Sequence, residues 1–258
     1  MNLAGITIIR NSIQFDYHIE LTIASLLQVC DHVFVVDCGS TDGTKELLDE
    51  LDMKYPFGIT ILDGSKEWEE TSGKERLSVC TNIAVEEVKQ LGFKYQLMVQ
   101  ADEIIHESSY KYIKLAMKYD REGYMATRVN LWGSPYRYLT VPTERQPCST
   151  EVMRLTKVGN YAYDDAENLV CNNPNFGFLQ QIRIFHMGFV RKREVMKNKI
   201  ANMQQNVFGM EHYDPKLDME QRFNPWLWFD KEKDTSFINE PLPAIIREWA
   251  RERAKDYE

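Results

Sequence analysis

Two short apolar runs rich in β-branched residues, 6–9 (ITII) and 33–36 (VFVV), flank a segment of helical spacing, and that order closes off most folds. Between them Ile19, Ile23, Leu26 and Leu27 recur at the interval of a helix within residues 17–29. Strand, helix and strand at this spacing predict a right-handed βαβ unit and hence a parallel sheet. The pattern continues with a strand at 59–62, a polar loop at 63–73, a helix at 74–89 and a strand at 96–100. Short helices are expected at 45–51 and 109–119. Past Gly123 the texture changes. Strands are expected at 124–131, 151–155 and 182–185, with helices at 194–208 and 244–254. The expectation is an α/β domain with a mixed sheet over residues 1–190, carrying a helical and aromatic extension over 191–258.

Composition sets limits on function. The 258 residues suit one large domain, and 43% hydrophobic with 12% aromatic residues is ample for a core. No apolar run approaches the length of a membrane span, and the first residues lack the apolar segment of a signal peptide. The five cysteines are scattered with no CxxC pair, so neither a zinc site nor a disulfide framework is expected, and a reducing cytoplasm fits. A net charge of −8 argues against a nucleic-acid binder. Against that background Arg183, Arg191, Lys192, Arg193, Lys197 and Lys199 face one acid, Glu194, a local basic stretch suited to a phosphate-bearing ligand.

In open α/β sheets ligands collect at the carboxyl ends of strands. Three such ends carry chemistry. The run 97–99 (LMV) opens into Gln100, Asp102, Glu103 and Glu107, oxygen ligands of the kind a hard divalent cation prefers. Asp102 is the expected metal ligand, with Glu103 a further ligand or a support. The second strand opens into DCGSTDGT at 37–44. Its glycines permit a tight turn, Ser40, Thr41 and Asp42 can cap the next helix, and Asp37 can accept hydrogen bonds from a base or ribose. His186 ends the run at 182–185, just before Gly188 and the basic stretch; Arg191 and Lys192 there are candidates for phosphate oxygens. Asp164, Asp165 and Glu167 crowd four positions and are candidates for a general base. Trp132 and Tyr136 lie in an aromatic loop, 132–138, that either stacks on a sugar or packs on itself. The segment 223–229 (FNPWLWF) reads as a packing clamp or an acceptor wall.

IIRNS at 8–12, VVDCGSTDGT at 35–44 and VQADE at 99–103 together resemble the nucleotide-binding half of family 2 glycosyltransferases of the GT-A fold, in a bacterial and phage-like subgroup. The resemblance covers roughly the first 110 residues well and 161–191 in fragments. It implies a three-layer α/β/α, Rossmann-like domain. It also implies transfer of a sugar, with inversion, from a UDP-, GDP- or dTDP-sugar to a hydroxyl on a glycan or other acceptor. Arg10, Asn11, Asp37, Gln100, Ala101 and Asp102 would contact the nucleotide, as would Arg76 or Asn82 early in the helix at 74–89. Asp102 and His186 would hold Mn²⁺ or Mg²⁺. The Asp-Ala pair at 165–166 favours Asp165 as base over Asp164. The chain departs from the family in one place that matters: the first acid of the Asp-x-Asp signature is Gln100. That departure keeps a non-catalytic nucleotide- or glycan-binding protein as the alternative. A sugar nucleotidyltransferase is a weaker one, because IIRNSIQFD lacks a Gly-rich basic loop.

Overall fold

The computed structural model describes residues 2–209, 224 and 227–253. Strands β1 (Leu3–Ile9), β2 (His32–Asp37), β3 (Ile59–Asp63) and β4 (Tyr95–Met98) pair in parallel in the order β4-β1-β2-β3. Helix α1 (Ile19–Leu27) crosses over from β1 to β2, as its spacing predicts, and buries Ile19, Ile23 and Leu26 against the sheet. Helix α2 (Thr44–Lys54) adds Leu48 and Leu51 on the same face. Helix α4 (Glu75–Gln90) covers the other face with Cys80, Ala84, Val85 and Val88, giving three layers. Burying a large aliphatic side chain in such a core contributes roughly 1.5–3 kcal/mol each.

The polar loop expected at 63–73 contains a helix, α3 (Ser65–Glu70). The Asp63 carboxylate accepts from the Ser65 backbone N–H at 2.9 Å, and Trp68 is buried against the α4 face. One buried tryptophan in a charged turn of helix leaves no apolar period to read.

The second half turns the sheet antiparallel. Strand β8 (Glu151–Lys157) pairs with β4, β6 (Gly123–Trp132) with β8, β7 (Ser134–Leu139) with β6, and β12 (Thr235–Phe237) with β7. The expected aromatic loop at 132–138 is therefore mostly a hairpin strand, turned at Gly133 with φ +68°. A long strand, β11 (Phe176–Phe189), runs parallel to β6 and antiparallel to the short β5 (Glu103–Ile105). That last pairing brings the strand carrying His186 beside the turn after β4, with His186 opposite Glu103. A separate ribbon, β9 (Tyr161–Ala162) with β10 (Leu169–Val170), holds the acidic loop. Helix α5 (Tyr110–Ala116) packs on β11 and adds Ile113 and Ala116 to the core cluster that α1 enters, while α6 (Arg193–Met203) runs on into a π-helical turn, Gln204–Phe208. The terminal helix α7 (Ala244–Arg253) buries Ile246 and Trp249 against Ile104, Phe185 and Met187. It is thus packed directly behind the strand that carries His186. Of the aromatic segment 223–229, Phe223, Pro225 and Trp226 lie outside the described residues, as does Ala254 at the end of the last helix. Among the described residues no helix is long and apolar enough to cross a membrane, and all five cysteines are free.

Candidate active site

A cleft of about 340 Å³ opens at the carboxyl ends of β1, β2 and β4. Its wall gathers Arg10, Trp68, Gln100, Ala101, Asp102, Asp165, Glu167, His186 and Lys199. The turn after β4 is built tightly. Val99 N–H donates to the Ile6 carbonyl, Glu103 N–H closes the turn on the Gln100 carbonyl, and Met187 N–H from β11 donates to the Asp102 carbonyl at 2.7 Å.

Asp102 is buried, and its carboxylate is contacted from three sides. Oδ2 accepts from Arg191 Nη2 at 3.0 Å and from Lys199 Nζ at 3.1 Å; Oδ1 lies 3.6 Å from His186 Nε2. Burial alone would raise this carboxyl, but the Lys199 and Arg191 charges outweigh it and hold the group well below the usual carboxylate range. Burial lowers the Lys199 ammonium to about 8, with help from Arg191. Burial also lowers His186 to about 4, so its ring is neutral near pH 7.

The hydrogen bonds fix which nitrogen of His186 carries its proton. Asn130 Nδ2 donates to Gln146 Oε1 at 2.8 Å and to the Cys148 carbonyl at 3.0 Å, so Asn130 Oδ1 faces His186 Nδ1 at 3.0 Å as an acceptor. Nδ1 is then the N–H, and Nε2 turns a lone pair toward Asp102 Oδ1. Gly188 is what makes room for this ring. A Cβ at that position would lie 2.2 Å from His186 Nε2, a distance real Cβ atoms essentially never show.

Beneath the turn lies a buried ionic network. Glu103 accepts from Arg154 at 2.7 and 3.0 Å, from Arg128 at 3.2 Å and from the Gln100 N–H at 2.9 Å. Burial would raise the Glu103 carboxyl, and the two arginines bring it below its ordinary value. Arg128 also pairs with Glu167, and Arg154 donates to the Glu167 carbonyl. Glu103 is therefore a support, and the same two arginines tie the Gln100–Asp102 turn to the acidic loop.

Within that loop the three candidate acids have different fates. Asp164 takes φ +58°, is exposed, pairs with Lys74 at 2.7 Å and does not line the cleft. Glu167 lines the cleft but is held by Arg128 and Ser149; partial burial would raise its carboxyl, yet these partners bring it down to about 2. Asp165 lines the cleft and makes no ion pair among the described residues; its Oδ1 accepts the Glu167 N–H at 3.0 Å.

Other expected contacts are spent on the protein itself. Asn11, at φ +55°, accepts the Thr41 N–H, and Asn82 clamps both the N–H and the carbonyl of Ala162. Asp37 is buried and accepts the Ser40 N–H at 3.1 Å. None of these three side chains lines the cleft, nor does Arg76, which donates to the carbonyls of Thr71 and Asn206. Arg191 spends its guanidinium on the carbonyls of Phe15, Met187 and Gly188 and on Asp102, and Lys192 is exposed outside the cleft. Trp132 is buried, with its ring 4.5 Å from that of Phe189, and Tyr136 is exposed on β7; neither lines the cleft. The aromatic side chains that line the cleft include Phe15, Tyr17, Phe189, Phe208, Trp228 and Trp68, and over the Trp68 ring the Arg10 and Arg76 guanidiniums lie at 5.1 and 5.4 Å.

No protein-family model matches the chain, and no curated protein sequence does. Solved structures do. S. aureus TarS 1-349 matches with a TM-score of 0.50 and 14% identity, over 82% of this chain and 68% of that one. The same TarS piece in complex with UDP-GlcNAc matches at 0.50 and 15%, over 87% and 74%. Against a longer TarS chain, the present one spans 41% of its length. The fold is the GT-A fold. The mannosyltransferase PcManGT from Pyrobaculum calidifontis in complex with GDP-Man and Mn²⁺ matches with a TM-score of 0.49 at 15% identity, over 79% of this chain and 61% of that one.

The resemblance implies a divalent ion, with Asp102 and His186 as its expected ligands. Asp102 Oδ1 and His186 Nε2 are two electron-pair donors facing each other across 3.6 Å, an arrangement that a cation between them relieves. Among the described residues no cluster of three His, Cys, Asp or Glu forms, and Gln100 brings no charge. Asp102 and His186 are the side chains that would hold a divalent ion, and they make only part of a ligand set.

Proposed function

We propose that the chain is a family 2-like glycosyltransferase of the bacterial and phage type. It moves a sugar from a UDP-, GDP- or dTDP-sugar to a hydroxyl of a glycan or related acceptor, with inversion, in the reducing cytoplasm. The observation that carries this reading is one cleft faced by Asp102 with His186, by Lys199 and by Asp165.

The chemistry follows from the arrangement. Arg10 and Trp68 form the wall at the ends of β1 and β2, where a nucleobase stacks and its ribose meets polar groups. Gln100 offers an amide to a ribose hydroxyl. Asp102 and His186 would hold Mn²⁺ or Mg²⁺; when bound, that ion neutralises charge on the leaving diphosphate. Asp165 takes the acceptor's hydroxyl proton as that oxygen attacks the anomeric carbon from the face opposite the diphosphate. Asp165 suits the task better than its neighbours because Glu167 is already committed to Arg128 and Ser149, and Asp164 to Lys74. The acceptor lies against Phe189 and Trp228 rather than Trp132 and Tyr136.

A panel of UDP-, GDP- and dTDP-sugars, with and without Mn²⁺, tests this reading. Release of a nucleoside diphosphate from one of them is expected. Pyrophosphate chemistry would overturn it in favour of a nucleotidyltransferase, and tight binding without turnover in favour of a binding protein.

A further inference from the structure

Two cationic side chains line the cleft among the described residues, Arg10 and Lys199. They stand at different places. Arg10 donates from Nε to the Cys38 carbonyl and lies over Trp68, at the ends of β1 and β2. Lys199 reaches in from α6 and touches Asp102 Oδ2 at 3.1 Å, the Gly188 carbonyl at 3.5 Å and the face of Tyr17 at 4.6 Å. The basic stretch around it does not compete for the same space. Arg191 is fully buried with its N–H groups on three carbonyls and Asp102, and Lys192 is exposed away from the cleft.

We infer that Lys199 is the side chain that binds the nucleotide's diphosphate directly, giving the site an affinity for that group that does not depend on a divalent ion. The inference rests on the nucleotide-sugar reading above. The helix explains why this residue and not its neighbours arrives there. Met196, Lys199, Ile200 and Met203 fall at i, i+3, i+4 and i+7, so one face of α6 turns to the cleft. Met196 and Ile200 are buried on that face and fix the helix, and Asp102 and Tyr17 hold the ammonium. An ammonium has three N–H donors. Two have protein acceptors, one of them at 3.5 Å, and the remainder of its donor capacity is available to a phosphate oxygen.

The charge balance gives the lysine a task. The signature turn carries Gln100 in place of an acid, so it has one less negative charge with which to hold an ion. Lys199 places a positive charge of the protein's own at the same turn. In the transfer step the acceptor oxygen forms its bond to the anomeric carbon. The bond from that carbon to the diphosphate oxygen breaks, and its electron pair stays on the phosphate. The acceptor proton goes to Asp165. Lys199 keeps its proton throughout and donates a hydrogen bond to the oxygen gaining charge.

The test measures binding rather than turnover. UDP, GDP and dTDP are titrated calorimetrically into the wild type, Lys199→Met and Lys199→Arg, each in EDTA and in Mn²⁺. The matching nucleosides are followed by ligand-observed NMR. The wild type is expected to bind one diphosphate in EDTA. Lys199→Met should weaken that binding about 10- to 100-fold, the loss of one charge-assisted hydrogen bond. Nucleoside binding should stay unchanged, and Lys199→Arg should keep the diphosphate affinity within about threefold. Wild-type binding that appears only with Mn²⁺ would overturn the inference. So would equal losses for nucleoside and diphosphate, or an unaltered Lys199→Met; in each of these cases the nucleotide-sugar reading would stand. A wild type that binds none of the three diphosphates in either condition would sink that reading and this inference together.

Discussion

Replacing Arg154 with methionine attacks the network on which both walls of the cleft rest. The Arg154 and Glu103 side chains are completely buried. The substitution removes two hydrogen bonds to the Glu103 carboxylate, at 2.7 and 3.0 Å, and one to the Glu167 carbonyl. Breaking a buried ion pair from one side costs about 3–5 kcal/mol, because the other charge stays in the interior without its partner. Here Glu103 keeps Arg128 at 3.2 Å and the Gln100 N–H at 2.9 Å, which puts the expected cost near the lower end, about 3 kcal/mol. For a chain of this length each kcal/mol shifts the melting temperature by about 2–4 °C, so calorimetry should show a fall of roughly 6–12 °C. The double variant Glu103→Gln with Arg154→Met removes the stranded charge and should recover at least about 1 kcal/mol relative to the sum of the single changes. A single-variant loss under about 1 kcal/mol, or strict additivity in the double, would refute the network as the support of the turn.

Three further outcomes follow. Gly188→Ala puts a methyl into the His186 ring; it should cost about 1–3 kcal/mol as an overpacked site and weaken diphosphate binding in Mn²⁺, and a variant with wild-type melting and affinity would contradict the geometry. Asp165→Asn should leave diphosphate affinity within a few-fold while slowing transfer at least about 100-fold, whereas full activity would move the base to Glu167 or Asp164. Glu167 has its folded-state carboxyl lowered to about 2 against an ordinary 4.5, so its stabilising contribution is complete above about 4.5 and is lost as the pH falls toward 2. The melting temperature of the wild type should drop through that window more steeply than that of Glu167→Gln, and parallel curves would count against the pairing with Arg128.

The parallel half of the fold was legible because its strands are continuous apolar runs separated by one clear helical period. The strand end carrying Gln100 and Asp102 was legible for the same reason: the run stops where the polar residues begin. His186, expected to end a strand, lies inside β11, which continues through Gly188 to Phe189. Where the two segments meet was not legible, since the pairing of β11 with β5 joins stretches about 80 residues apart. Asn11 reads as a nucleotide contact from the resemblance alone, and Asn82 from the resemblance and from being a poor helix former inside a helix. Both pin backbone atoms, at Thr41 and Ala162, partners with no signature in the sequence. The arginines of the buried network did leave a signal that could have found them: Arg128 and Arg154 each sit inside an otherwise apolar strand. Trp132 is the converse case. An aromatic beside Gly133 fits either a sugar platform or a packed loop, and Trp132 is buried against Phe189 and Phe229. Lys199 was hidden among five other cations, and only the phase of α6 separates it from them.

The most direct measurement is a crystal structure of the full chain soaked with the nucleoside diphosphate that binds best. Density is expected in the cleft, with the base beside Trp68 and Arg10 and the phosphates between Lys199 and the Asp102–His186 pair. Phosphates bound elsewhere, or a cleft left without ligand at saturating concentration, would contradict that placement.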